Sequence, residues 1–292
     1  MKRKQFLTTA IGASIMTLGS IRALGEFLGP QDIRMPVLFI GHGSPMNALE
    51  DNAHTKGWQK VAASIPLPKA IICVSAHWLT RGTYVTATPI PETIHDFGGF
   101  PPELFAAQYP APGNPDLAAE TKQLITKTEV GLDHEWGLDH GTWSILKKMY
   151  PDATIPVLQL SIDYYKSPQY HYELAQELNA LRDKGVLIIG SGNVVHNLGM
   201  ADFRRINDPV GFGFDWALEF DAAIRKAITS GDHSVLVNYL AIGKSAQLAV
   251  PTPDHYYPLL YAAGIAGSKA EATVFNDVPV AGSLTMTSIM WA

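Results

Sequence analysis

The sequence predicts an α/β protein: a three-layer sandwich with a mainly parallel central sheet and a metal site at the carboxyl ends of its strands. Two observations predict it. Fully apolar runs of strand length recur at residues 36–40, 70–74, 156–162 and 186–189, separated by longer helix-patterned segments. Strands buried on both faces read in this way, and helices covering both faces imply parallel pairing. Four histidines also stand where an apolar run or loop gives way to a turn or helix: His42 in Phe39-Ile-Gly-His-Gly-Ser-Pro45, His77 in Val74-Ser-Ala-His-Trp78, His196 in Gly190-Ser-Gly-Asn-Val-Val-His-Asn197, and His255 in Pro253-Asp-His-Tyr-Tyr-Pro258. Ligands of open α/β sheets bind in the crevice beyond the carboxyl ends of the strands, so imidazoles delivered there from separate strands can converge on one metal ion.

The elements follow in order. Helices are expected over residues 55–64, over 115–128 with Asn114 as N-cap, over 168–184 ending at Gly185, and over 215–229 ending before Gly231. Residues 272–275 and 283–290 read as further strands, the last pairing antiparallel at an edge. Between residues 89 and 112, Pro, Gly and aromatic residues crowd into a long connection; loops of that length inside a compact domain are usually functional, which suggests a lid or pocket wall.

Composition narrows the partners. The chain has 292 residues, 47% hydrophobic and 17% charged, enough to bury a large core in one catalytic domain spanning 35–292. Its net charge of −5 argues against nucleic acid and anionic membranes and leaves a small molecule as the default substrate. The lone Cys73 sits in an apolar run and reads as core. Residues 1–25 carry Lys2, Arg3 and Lys4, an uncharged stretch and then Ala23-Leu24-Gly25. They read as an export signal or a disordered extension. The first reading places the protein in the periplasm and the second in the cytoplasm; the stretch is too short and polar for a membrane span.

Glycines on both sides of His42 allow a sharp turn after the strand. Asn193 or Asn197 could orient His196, which suits either a ligand or a general base. His140, in Asp139-His-Gly-Thr-Trp143, is placed to polarise a phenolate. His95 in the long loop and the aromatic rings of Trp78 and Trp143 are candidates for substrate contact. His54, His171 and His233 read as solvated surface residues. The absence of a Gly-x-Ser-x-Gly elbow, a His-Glu-x-x-His helix and a Cys-x-x-Cys pair argues against serine hydrolases, zincins and zinc ribbons.

From Met35 onward the chain resembles the class III extradiol ring-cleavage dioxygenases, of the 4,5-DOPA dioxygenase extradiol family. The resemblance is carried by Gly41-His-Gly-Ser-Pro-Met46, Ser75-Ala-His-Trp78, Ile94-His-Asp-Phe-Gly-Gly-Phe100, Tyr109-Pro-Ala-Pro-Gly113, Gly137-Leu-Asp-His-Gly-Thr-Trp143, Gln159-Leu-Ser-Ile162, Gly190-Ser-Gly-Asn-Val-Val-His-Asn-Leu198 and Thr252-Pro-Asp-His-Tyr256. It implies His42, His77 and His255 as metal ligands, His196 as a further ligand or the acid–base residue, and His140 as the group that polarises substrate. In the wider superfamily the third ligand is commonly a glutamate, whereas here His255 stands in that place with Asp254 beside it.

The implied partners are a catechol and O2, with a ring-opened semialdehyde as product. The implied cofactor is one divalent ion per subunit: Zn2+ as a bound resting form, and Fe2+ for the oxygen chemistry that redox-inert zinc does not support. A zinc-dependent hydrolase and a non-catalytic metal-binding interaction protein of the same fold are the competing readings, separated from the first by oxygen consumption and by turnover.

Overall fold

The structure is a computed structural model that describes residues 34–292 apart from 207 and 209. The export-signal reading of residues 1–25 lies outside the described residues. No helix among the described residues is long and apolar enough to cross a membrane.

The strands are β1 (Val37–Gly41), β2 (Ala70–Ser75), β3 (Leu79–Thr80), β4 (Thr83–Thr86), β5 (Val130–Asp133), β6 (Val157–Gln159), β7 (Ile162–Asp163), β8 (Val186–Gly192), β9 (Ala272–Phe275), β10 (Pro279–Val280), β11 (Leu284–Thr285) and β12 (Ser288–Trp291). The central sheet runs β6-β2-β8-β1-β12-β9. Its first four strands pair in parallel, and β12 pairs antiparallel with both β1 and β9.

The helices are α1 (Ala53–Ser64), α2 (Pro102–Ala106), α3 (Pro115–Leu124), α4 (His140–Met149), α5 (Pro168–Gln176), α6 (Asp215–Ser230), α7 (His233–Val237), α8 (Lys244–Ala249) and α9 (Tyr257–Ala266). Because successive strand residues face opposite ways, each inner strand feeds two cores. Val37, Phe39, Ile72, Val74 and Ile188 pack with Leu117 of α3, Leu174 of α5, Phe220 of α6 and Leu260 of α9. Leu38, Ile40, Ile71, Cys73, Leu187 and Ile189 pack instead with Trp58 of α1 and with Trp143 and Leu146 of α4. Two cores separated by one sheet make the expected three layers.

Helix ends follow the sequence signals closely. Asn114 caps α3 by accepting from the Leu117 amide, and Gly231 ends α6 in the left-handed conformation. Four expectations change, the first being that the helix expected over 115–128 stops at Leu124. Residues 156–162 form two strands, because after Leu160 N has donated to Cys73 O the chain leaves β2, and Ile162 N donates to Trp78 O. The stretch 168–184 divides into α5 and a 3₁₀ turn over Asn179–Lys184, where Arg182 exchanges backbone and side-chain hydrogen bonds with Met35. Residues 283–290 divide into β11 and β12, and β12 lies inside the sheet between β1 and β9 instead of at its edge.

Candidate metal centre

The turn after β1 presents His42, which is almost fully buried. Gly43 takes a positive φ of 60°, so the turn depends on a residue without a Cβ. His77 follows β2 by two residues. His140 opens α4, whose N-cap Asp139 is held by Ser75 Oγ and Gln159 Nε2 in a buried network. His196 follows β8, and its amide donates to Ala249 O. His255 precedes α9; its carbonyl accepts from Asn193 N and passes so close to Gly192 that a Cβ there would lie 2.1 Å from the oxygen.

These five imidazoles form one cluster. The ring centroids of His42, His77 and His255 make a nearly equilateral triangle, with sides of 5.0, 5.2 and 5.0 Å. His42 Nε2 lies 3.2 Å from His77 Nε2. Two imidazoles binding one ion at about 2.0–2.1 Å near the tetrahedral angle place their nitrogens about 3.4 Å apart and their centroids about 5.2 Å apart. The centroid spacing of the three rings matches that of rings sharing one divalent ion; by ligand atoms, His42, His77 and His140 lie within 4.8 Å of one another, and so do His196, Asp254 and His255.

The opposite nitrogen of each ring supports that fit. His42 Nδ1 lies 3.0 Å from Ser191 Oγ, and Ser191 uses its one proton on Gly141 O at 2.5 Å. The hydroxyl can therefore only accept from His42, which puts the ring proton on Nδ1 and leaves the Nε2 lone pair free. His77 Nδ1 lies 3.4 Å from Asp96 Oδ2, and His255 Nδ1 is bound to Asp254 Oδ2. Burial, reinforced by the neighbouring imidazoles, holds His42 and His255 well below the usual histidine pKa and His77 at about 3, so all three are neutral and ready to ligate at neutral pH. Replacing Ser191 by Ala is expected to lower metal affinity about 10–100-fold by releasing the His42 tautomer. Competition with a chromophoric chelator measures this, and an unchanged affinity would remove Ser191 from the site.

Two histidines flank the triangle. His196 stacks on His255 at 3.5 Å with 7° between the rings. An imidazole lone pair lies in its ring plane, so two nearly parallel planes at this separation do not point their lone pairs at a common ion. Burial lowers the His196 pKa to about 4. His140 lies on the other side, its centroid 3.9 Å from that of His77.

Asp96, which the sequence marks only as a neighbour of His95, links these parts. Its Oδ2 lies 3.0 Å from His140 Nδ1, and its Oδ1 accepts from the His140 amide at 2.8 Å. Burial works against its charge, but the bonds from His140 outweigh burial and hold the pKa below the carboxylate norm. The long loop that carries Asp96 is pinned to the segment before α4 by Ile94 N on Leu138 O and Leu138 N on Glu92 O, and it brings Phe97 edge-on to His140 at 5.6 Å.

The aromatic candidates stand outside the histidine cluster. His95 Nε2 is bonded to Ala107 O within the loop. Trp143 is fully buried and donates its Nε1 proton to Ile94 O. Trp78, also buried, stacks on Trp136. Two histidines read as solvated are buried instead: His171 bonds Tyr261 Oη and His233 bonds Tyr172 Oη, each phenol supplying the polar partner that water would have given.

Buried imidazoles gathered beyond the ends of a parallel sheet describe a candidate divalent-metal centre, and residues 36–284 match the family model described as the catalytic LigB subunit of aromatic ring-opening dioxygenase. The chain belongs to that family and is a metal-dependent, aromatic ring-cleaving dioxygenase. It is 48% identical over 260 residues to the 4,5-DOPA dioxygenase extradiol of Escherichia coli, an alignment covering 88% of this chain and 94% of that one. It is 38% identical over 258 residues to the protein of the same name from Beta vulgaris, covering 86% and 94%. A crystal structure of an uncharacterized protein of Escherichia coli K12 superposes with a TM-score of 0.77 at 43% identity, covering 89% of this chain and all of that one.

Proposed function

We propose that this enzyme opens the ring of a catechol such as L-DOPA beside the hydroxyl pair, placing both atoms of O2 in a ring-opened semialdehyde. The reading is carried by the triangle of His42, His77 and His255, whose ring centroids lie 5.0–5.2 Å apart and whose Nδ1 atoms each face an oxygen. The names of the relatives, 4,5-DOPA dioxygenase extradiol, support the same substrate class.

In this reading His42, His77 and His255 would hold the ion, and Fe2+ there would supply the redox chemistry that oxidation of a catechol ring by O2 requires. Zn2+ fits the same ligands but has no redox chemistry, so it corresponds to a resting form. His196, neutral and stacked beside the triangle, accepts a phenolic proton at a ring nitrogen and later returns it to an oxygen of the opening ring. His140, its Nδ1 facing Asp96, turns its other edge toward developing phenolate charge. Phe97 and the loop behind it, tied down through His95 and Trp143, wall this side against water.

The test is oxygen uptake together with the visible spectrum of the product, with L-DOPA and a small catechol panel, after anaerobic reconstitution with Fe(II) or Zn(II). Uptake and a yellow product that require iron are the expected result. A bound ion with no uptake on any catechol would overturn the reading in favour of a zinc hydrolase or a non-catalytic metal-binding protein of the same fold.

A further inference from the structure

Two residues beyond His77, the short strand β3 pairs in parallel with β7, Leu79 opposite Ile162 and Thr80 opposite Asp163, and Tyr164 N donates to Thr80 O at 3.1 Å. This register sets Arg81 beside the exposed Tyr164–Tyr165 pair, and its guanidinium lies 4.6 Å from the Tyr165 ring centroid. Arg81, Tyr164 and Tyr165 join Thr252 and Asp254 around a cavity of about 450 Å³, a size suited to a small organic ligand. One wall thus begins just after His77, and the other contains the carboxylate that holds His255.

The guanidinium of Arg81 and one oxygen of Asp254 in this cavity have no charged partner among the described residues. Among the described residues Arg81 pairs with no carboxylate, and its one contact of this kind is the Tyr165 ring. Asp254 uses Oδ2 on His255, while its Oδ1 has no donor among the described residues. The two side chains line one cavity and form no ion pair with each other. A cation and an acceptor held apart, next to a centre that grips an aromatic ring, complement a zwitterionic substituent on that ring. A guanidinium on an aromatic face is held in place and offers its fork to a carboxylate.

We propose that this cavity is an amino-acid subsite: Arg81 receives the α-carboxylate and Asp254 Oδ1 the α-ammonium of a catechol amino acid whose ring lies at the histidine triangle. The proposal rests on the catechol reading above. It makes Arg81 a specificity-determining residue and ranks L-DOPA above dopamine, which lacks the carboxylate, and above 3-(3,4-dihydroxyphenyl)propionate, which lacks the ammonium. 4-Methylcatechol, with neither group, sets the baseline.

The test compares these four compounds on the Fe(II)-loaded protein and on its Arg81→Gln and Arg81→Lys variants, by steady-state oxygen uptake and by anaerobic calorimetric titration. Arg81→Gln is expected to lower the kcat/KM ratio of L-DOPA to 4-methylcatechol about tenfold or more, mainly through KM, since bonds to charged groups carry that much discrimination. Arg81→Lys should recover part of it, and binding of L-DOPA relative to 4-methylcatechol should fall in parallel. A ratio that stays within twofold in both measurements overturns the subsite. Selective, Arg81-dependent binding of L-DOPA without turnover of any catechol would overturn the ring-opening reading and leave the subsite standing.

Discussion

His42→Ala is expected to abolish metal retention and, with it, ring opening. Loss of a partner behind a ligand typically lowers metal affinity about 10–100-fold, so loss of the ligand itself should exceed about 100-fold. His42 is the pivot of the site, 3.2 Å from His77 at its inner nitrogen and 5.2 Å from the His255 ring centroid. Folding should persist, because Ser191 keeps its bond to Gly141 O and the strands on both sides of β1 do not depend on the ring. Metal content after dialysis and a thermal melt measure the two effects. A variant that keeps stoichiometric metal would refute the three-histidine triangle.

His196→Gln should behave differently. The stacking of His196 on His255 takes its lone pair out of the plane in which an ion bound to His255 must lie. The variant is therefore expected to keep its metal while kcat falls about 10²–10⁴-fold, the usual contribution of a positioned general acid–base. Loss of metal to the extent seen for His42→Ala would make His196 a ligand and shift the proton-carrying role elsewhere. The pair of variants separates holding the ion from moving the proton, which the spacing of histidines along the chain cannot do.

The sequence is most legible where the physics is local. The runs that became β1, β2 and β8 are apolar throughout because each strand is buried on both faces, and that signal needs no knowledge of neighbours. Asn114, Gly185 and Gly231 end helices through bonds made within a few residues. The position of β12 inside the sheet is a property of pairing with β1, far away in the chain, and an apolar run carries no address for its partner. The convergence was readable for His42, His77 and His196, which follow β1, β2 and β8, whereas His255 enters from the turn before α9 and His140 from the start of α4. Asp96 and Ser191 were not readable, since each acts by meeting a ring brought in from another element. For His171 a signal did exist: it shares a helical stripe with Leu174 and Ala175, both buried, and this stripe outweighs the polarity of the imidazole.

The triangle draws its corners from positions 42, 77 and 255, on both sides of the chain's midpoint. No short peptide and no single βα unit contains two of them together with the bonds that orient them. The ion position comes into being only after long stretches of chain have been closed into loops, the slow part of folding for a mainly parallel sheet. An unfolded chain therefore offers scattered imidazoles with little grip, and binding free energy gained in the native state is returned almost undiminished as resistance to global unfolding. Metal loading in this protein is in that sense a report on completed folding, and heat and chelators act on the same equilibrium.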